Sequence, residues 1–234
     1  MILSNECYLK DTDRCKKYLN GHCSIQSPQF CIKLFKIDNL LNEALLTEKQ
    51  KLRTDLRIDS DGTDKEAFLL LKDIQTNIVN FVQGGNNLYI HSSICGNGKT
   101  AWSIRMIQEY IKKIWPYTEL GCKALFINVP RFLLSLKDNI SEKNEYVEHI
   151  KKNVLDADLV VWDEIGVSNL TKFEHENMLN LINTRIDMSK SNIYTSNMNP
   201  QELKEKIGDR LYSRVVNLSV DLELFGLDKR GFAK

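Results

Sequence analysis

The chain predicts an α/β fold, a parallel five-stranded sheet flanked by helices, preceded by a small Cys-rich, helical N-terminal region. Three observations carry this reading. Short apolar runs alternate with helical periodicity from residue 87 onward. A glycine-bearing loop, Ser93–Thr100, sits between one such run and a helix. The run Leu159-Val-Val-Trp162 is apolar at every position, as in strands buried on both faces, and it ends in two acids.

In chain order, Ile32, Phe35, Leu40, Leu41, Ala44 and Leu45 recur at helical spacing and predict a helix over 31–47. Residues 48–63 are polar, contain Asp59-Ser-Asp-Gly62, and read as a linker. A helix over 64–83 follows, ended by Gly84-Gly85. Strands are expected at 87–91, 124–129, 159–162, 192–196 and near 216–221. Helices are expected at 99–114, 131–137, 144–156 and 172–188, with two short ones near 200–215. The domains are therefore 1–47, a linker 48–63, and a nucleotide-binding domain 64–234.

Composition narrows the setting. With 32 basic and 31 acidic residues the net charge is +1, so any grip on nucleic acid needs a local basic patch. Arg131, Lys137, Lys143, Lys151 and Lys152 are the cluster to consider, although a solvated helix face is the preferred reading. Residues 1–10 lack the basic start and apolar core of a secretory signal, and no apolar run reaches the ~20 residues of a membrane span. A cytoplasmic protein with no membrane partner is expected. In that reducing setting the six cysteines are poor candidates for disulfides.

The loop Ser93-Ile-Cys95-Gly96-Asn97-Gly98-Lys99-Thr100 matches the P-loop pattern except that Ser93 replaces the first glycine. Glycines let successive backbone N–H groups turn toward phosphate oxygens at the positive end of a helix. Lys99 is the candidate for the β- and γ-phosphates of ATP, and the Thr100 hydroxyl for Mg2+. Asp163 is the second candidate magnesium ligand, and Glu164 the residue that polarises the attacking water. The strand end Tyr194-Thr-Ser-Asn197 offers Asn197 as a γ-phosphate sensor if its strand lies between those of the loop and the acids. Asn-Met-Asn-Pro also suits a turn and helix cap.

Taken together, the loop, Val160-Val-Trp-Asp-Glu-Ile-Gly166, Tyr194–Asn197 and Gly208-Asp-Arg210-Leu-Tyr-Ser-Arg214-Val resemble the AAA+ ATPases. The resemblance is greatest to the DnaC/DnaI-type helicase loaders of bacteria and phages, over roughly residues 65–230. It implies that Arg214, with Arg210 as the alternative, is an arginine finger directed at a neighbouring subunit's nucleotide. A helix-surface salt bridge is the competing reading of both. It also implies a nucleotide-sensing role for Arg230, self-association, single-stranded DNA binding, and a DnaB-type hexameric helicase as partner. An IstB-like transposition ATPase and a nucleotide-gated adaptor without turnover are the rival functions.

Cys7, Cys15, Cys23 and Cys31 recur every eight residues. Four thiolates in a short polar segment favour tetrahedral zinc, with His22 as an alternative ligand, over four unconnected reduced cysteines. The zinc-bearing, helicase-contacting N-terminal domain of DnaI-type loaders points the same way, although the spacing is not that of paired C-x-x-C ribbons.

Overall fold

Apolar strands separated by amphipathic helices bury both sheet faces only when helices pack on each side, and the chain adopts that arrangement. The computed structural model describes residues 18–19, 22–23, 28–52, 62–139, 142–167 and 169–229. Two short antiparallel strands come first, Tyr18–Leu19 (β1) and His22–Cys23 (β2). The helices Pro28–Glu43 (α1), Glu48–Lys51 (α2), Lys65–Thr76 (α3) and Ile78–Gln83 (α4) follow. Strand Asn87–His91 (β3) leads through the loop into helix Lys99–Ile114 (α5). Strand Ala124–Asn128 (β4), helices Val129–Asp138 (α6) and Glu145–Asn153 (α7), and strand Leu159–Asp163 (β5) come next. Helix Lys172–Asp187 (α8), strand Ser191–Ser196 (β6), helix Pro200–Val215 (α9) and strand Val220–Glu223 (β7) complete the order.

The five-stranded sheet runs β4-β5-β6-β3-β7, with every pair parallel. Strand β6 thus lies between the loop strand β3 and the acid-bearing strand β5. Successive side chains point to opposite faces, so strands β3 to β6 feed two cores. Leu88, Ile90, Val161 and Ile193 pack with α1, α3, α4 and α5. Tyr89, Val160, Trp162 and Tyr194 pack with α6, α7, α8 and α9. Among the described residues no helix is long and apolar enough to cross a membrane.

Several boundaries move. The helix expected over 31–47 starts at Pro28 and ends at Glu43, and part of the expected linker is the turn α2, capped by Thr47 and Gln50. A domain boundary at residue 47 has no counterpart in the packing, because Leu40, Leu41, Ala44 and Leu46 are buried in the core that covers one face of the five-stranded sheet. The Ala44 carbonyl also accepts from the Phe126 N–H on edge strand β4 (2.9 Å), and Gln108 donates to the Gln50 and Lys51 carbonyls. The helix expected over 64–83 breaks at Asn77 into α3 and α4. The last strand lies later than 216–221, since Val215 and Val216 close the end of α9 instead.

Helix α9 starts where the sequence suggested, with Asn199 and Glu202 forming a reciprocal cap and Pro200 in the first turn. Its course is broken at Gly208, whose φ of 75° and ψ of 162° divide it into the two short helices expected from the sequence. His175 of α8 lies against the break, its Nε2 3.0 Å from the Ile207 carbonyl oxygen.

Candidate functional site

The loop between β3 and α5 turns on two glycines with left-handed backbone, Gly96 (φ 77°) and Gly98 (φ 118°). Gly98 stands directly before the first turn of α5, so that helix points its positive end into the turn. The Lys99 ammonium is folded back onto the Ser92 carbonyl (3.2 Å), the Ile94 carbonyl (2.9 Å) and Asn97 Oδ1 (3.3 Å). Asn97 turns its side chain inward, donating to Ser92 Oγ and to the Leu224 carbonyl beyond β7. A cleft of about 250 Å³ opens over the loop, lined by residues 95–101, Glu164, Thr195, Ser196 and Asn197. Ser93 is exposed and does not line it. Cys95 lines it with an exposed side chain.

The acids stand at the end of β5. Asp163 is only 3% exposed, and its Oδ1 accepts from the hydroxyls of Thr100 (2.9 Å) and Thr195 (2.7 Å). Burial pushes the Asp163 carboxyl above its ordinary range, and the two hydroxyl hydrogen bonds oppose that rise. Glu164 adopts a left-handed backbone (φ 63°), a conformation that costs a non-glycine residue about 1–2 kcal/mol. Its N–H donates to Thr195 Oγ1 (3.0 Å), and its Oε2 accepts from Asn128 Nδ2 (3.0 Å). Thr195 therefore donates to one acid while accepting from the backbone of the next.

Thr195 and Asn128 were not singled out in the sequence. Their roles follow from strand neighbours: Asn128 ends β4 in register with Asp163, and Thr195 lies on β6 beside Ile90 of the loop strand. Asn197 follows β6 and lines the cleft.

Arg210 and Arg214 line a separate groove of about 630 Å³ between α8 and α9, with Glu176, Leu179, Asn180, Asn183, Asp209 and Ser213. Arg214 Nε donates to Asn183 Oδ1 at 2.7 Å. Neither arginine lines the cleft over the loop. Of the basic residues after β4, Arg131 lies 4.2 Å from the Tyr146 ring centroid, Lys137 pairs with Glu174 (3.0 Å) and Lys151 lies 4.0 Å from Glu148, while Lys143 and Lys152 are exposed. Arg230, Cys7 and Cys15, and the side chains of His22, Cys23 and Cys31, lie outside the described residues. Among the described residues no group of three or more His, Cys, Asp or Glu side chains is placed to hold a metal ion.

A parallel sheet of this strand order, with a P-loop after β3 and paired acids at the end of β5 two places away, defines an ATP-binding protein with a P-loop fold of AAA+ type. The IstB-like ATP binding protein family model matches residues 36–216, and the chain belongs to that family. The curated replicative helicase loader DnaC of Escherichia coli K12 is 24% identical over 127 residues, covering 54% of this chain and 49% of DnaC. The chain thus spans about half the length of the curated relatives it matches. The crystal structure of the DnaC helicase loader superposes with a TM-score of 0.60 at 19% identity, over 76% of this chain and 98% of that one. That of DnaI does so at 0.56 and 18% identity, over 79% and 94%. These structural likenesses bear on the fold.

Proposed function

We propose that this protein is a cytoplasmic, magnesium-dependent ATPase that loads a DnaB-type hexameric helicase onto single-stranded DNA. The observation that carries the enzymatic half is the fixing of both acids: Thr100 and Thr195 hold Asp163, while Asn128 and the Thr195-bonded backbone hold Glu164. Groups already oriented before substrate arrives need little reorganisation in the transition state. The hydroxyl and carboxylate of Thr100 and Asp163 are hard oxygen donors of the kind magnesium takes, so the site fits that ion. Bound there, it supplies charge neutralisation to the phosphates.

Lys99 exchanges its carbonyl partners for phosphate oxygens, helped by loop N–H groups of residues 96–100. Glu164 polarises the attacking water and Asn197 contacts the terminal phosphate. Arg214 of a second copy completes the charge stabilisation, so turnover belongs to the assembly. Arg230 is assigned a supporting role at the nucleotide, and Cys7, Cys15, Cys23 and Cys31, with His22 as substitute, a zinc site in the N-terminal region. Metal analysis of the purified chain that finds no zinc removes that last assignment.

The helicase half is supported by the likeness to DnaC and DnaI. The family's IstB-like description favours a second reading, an ATPase that directs a transposase to duplex DNA. Co-purification with a hexameric helicase, with and without residues 1–27, separates them. The cut precedes α1 because Leu40 to Leu46 belong to the core. Turnover that survives Lys99→Ala or Glu164→Gln sinks the ATPase reading and leaves a nucleotide-gated adaptor.

A further inference from the structure

Gly208 redirects the second half of α9, and the redirected segment carries Arg210 and Arg214 along the groove facing α8. An arginine on a helix surface has about 2 kcal/mol of rotamer entropy to lose before it can act at a fixed point. Arg214 is already held. Asn183, half-buried on α8, accepts from its Nε at 2.7 Å, and among the described residues this is the one side-chain hydrogen bond that Arg214 makes. The orientation of the Asn183 carboxamide is set in turn by Asp187, one helical turn on, whose Oδ2 accepts from Asn183 Nδ2 at 2.9 Å. A carboxylate only accepts, so Nδ2 must face Asp187 and Oδ1 must face Arg214. A bond at Nε leaves both terminal nitrogens of the guanidinium fork to meet a phosphoryl group.

We propose that Asn183, oriented by Asp187, is a positioning residue for Arg214 in catalysis at the nucleotide of a second copy of this chain. The proposal rests on the reading of Arg214 given above. It differs from a packing role in what it predicts: ATP affinity is untouched, turnover in the neighbouring subunit falls, and a replacement that keeps an acceptor at the same reach restores it.

Mixing full-length variants tests this. R214A copies keep an intact cleft but lack the arginine, and E164Q copies keep the arginine but do not turn over. A mixture of the two regains ATP hydrolysis if Arg214 acts in trans. Donors carrying E164Q with N183L are expected to restore about tenfold less turnover, the scale of one charge-assisted hydrogen bond, at unchanged KM for ATP. Donors carrying E164Q with N183D and D187N together, which keep the acceptor toward Arg214 and return the orienting amide from the other partner, are expected to restore most of it. If N183L does not melt cooperatively, N183S, polar but too short to reach Nε, replaces it. Equal rescue by donors with and without the Asn183 change overturns the proposal while Arg214 keeps its role. So does a donor with N183D and D187N that is as poor as N183L. No rescue by E164Q alone overturns the Arg214 reading and this proposal with it.

Discussion

Asn128 joins two tasks at the end of β4: its Nδ2 donates to Glu164 Oε2 at 3.0 Å, while its Oδ1 accepts from the Arg131 N–H at 3.1 Å and caps α6. The cap is worth about 1 kcal/mol and the carboxylate contact fixes the proposed water-polarising group. The two are separable by substitution. Asn128→Ser keeps a capping oxygen but cannot reach Glu164, so the melting temperature should stay near that of the parent while kcat drops roughly tenfold. Asn128→Ala should lose both. Equal kcat in the serine variant and the parent, read in a steady-state ATPase assay, contradicts the assignment.

Asp163 is more costly to the fold than its neighbours, because its carboxyl is buried and burial raises its pKa. Its two hydroxyl partners are neutral, so they offset only part of that cost. Asp163→Asn removes the charge at nearly constant shape. The nucleotide-free variant should therefore melt higher than the parent by a few degrees, roughly 1 kcal/mol of stability, yet lose the stabilisation that magnesium and ATP together provide. Thermal melts with and without both ligands decide this, and a variant that melts lower without ligand contradicts it.

The legibility of the fold followed local chemistry. Strand β3 and helix α5 were readable to the residue because an apolar run, two glycines and an amphipathic stretch mark every edge. The break at Asn77 was hidden, since Ile74, Ile78 and Val82 keep the helical rhythm across it and all three are buried. Strand β7 was misplaced because at the sheet edge Leu222 is its one buried residue, whereas Val215 and Val216 look more strand-like and pack elsewhere. At the site, the loop and acid pair announce themselves by residue type. Asn128 and Thr195 do not, because their contacts depend on strand order and register, which a single sequence leaves open.

Arg185 is a structural counterpart to the site. It is wholly buried, and its guanidinium donates to the carbonyls of Val154, Ala157 and Ser191 and to Asn192 Oδ1. These partners lie at the end of α7, the approach to β5 and the start of β6, so one side chain ties three segments. Burial lowers its pKa to about 10, which still leaves it charged at neutral pH. Arg185→Ala opens a cavity and strands those carbonyls, and should cost about 3–5 kcal/mol in urea unfolding. Arg185→Lys, which cannot satisfy the same fork, should cost about half as much. A loss below about 1 kcal/mol for the alanine variant contradicts this role.

Cysteine labelling reads the cleft directly. Cys95 is exposed in the phosphate loop, whereas the single Cys122 S–H has the carbonyls of Ala124 (3.3 Å) and Glu43 (3.5 Å) as its acceptors. Burial, reinforced by Glu43, pushes the Cys122 pKa up to about 12. Thiolate is the species that reacts with iodoacetamide, so Cys122 remains almost wholly protonated between about pH 7 and pH 9 and its slow rate rises with each unit. Peptide mapping of the labelled full-length chain should find Cys95 modified on the order of 100-fold faster than Cys122. Adding ATP with magnesium should slow modification of Cys95 and leave Cys122 unchanged, because only the former lines the cleft. Similar rates at the two positions would mean that Cys122 is not shielded as described. A Cys95 rate indifferent to ATP would mean that the nucleotide does not occupy this loop.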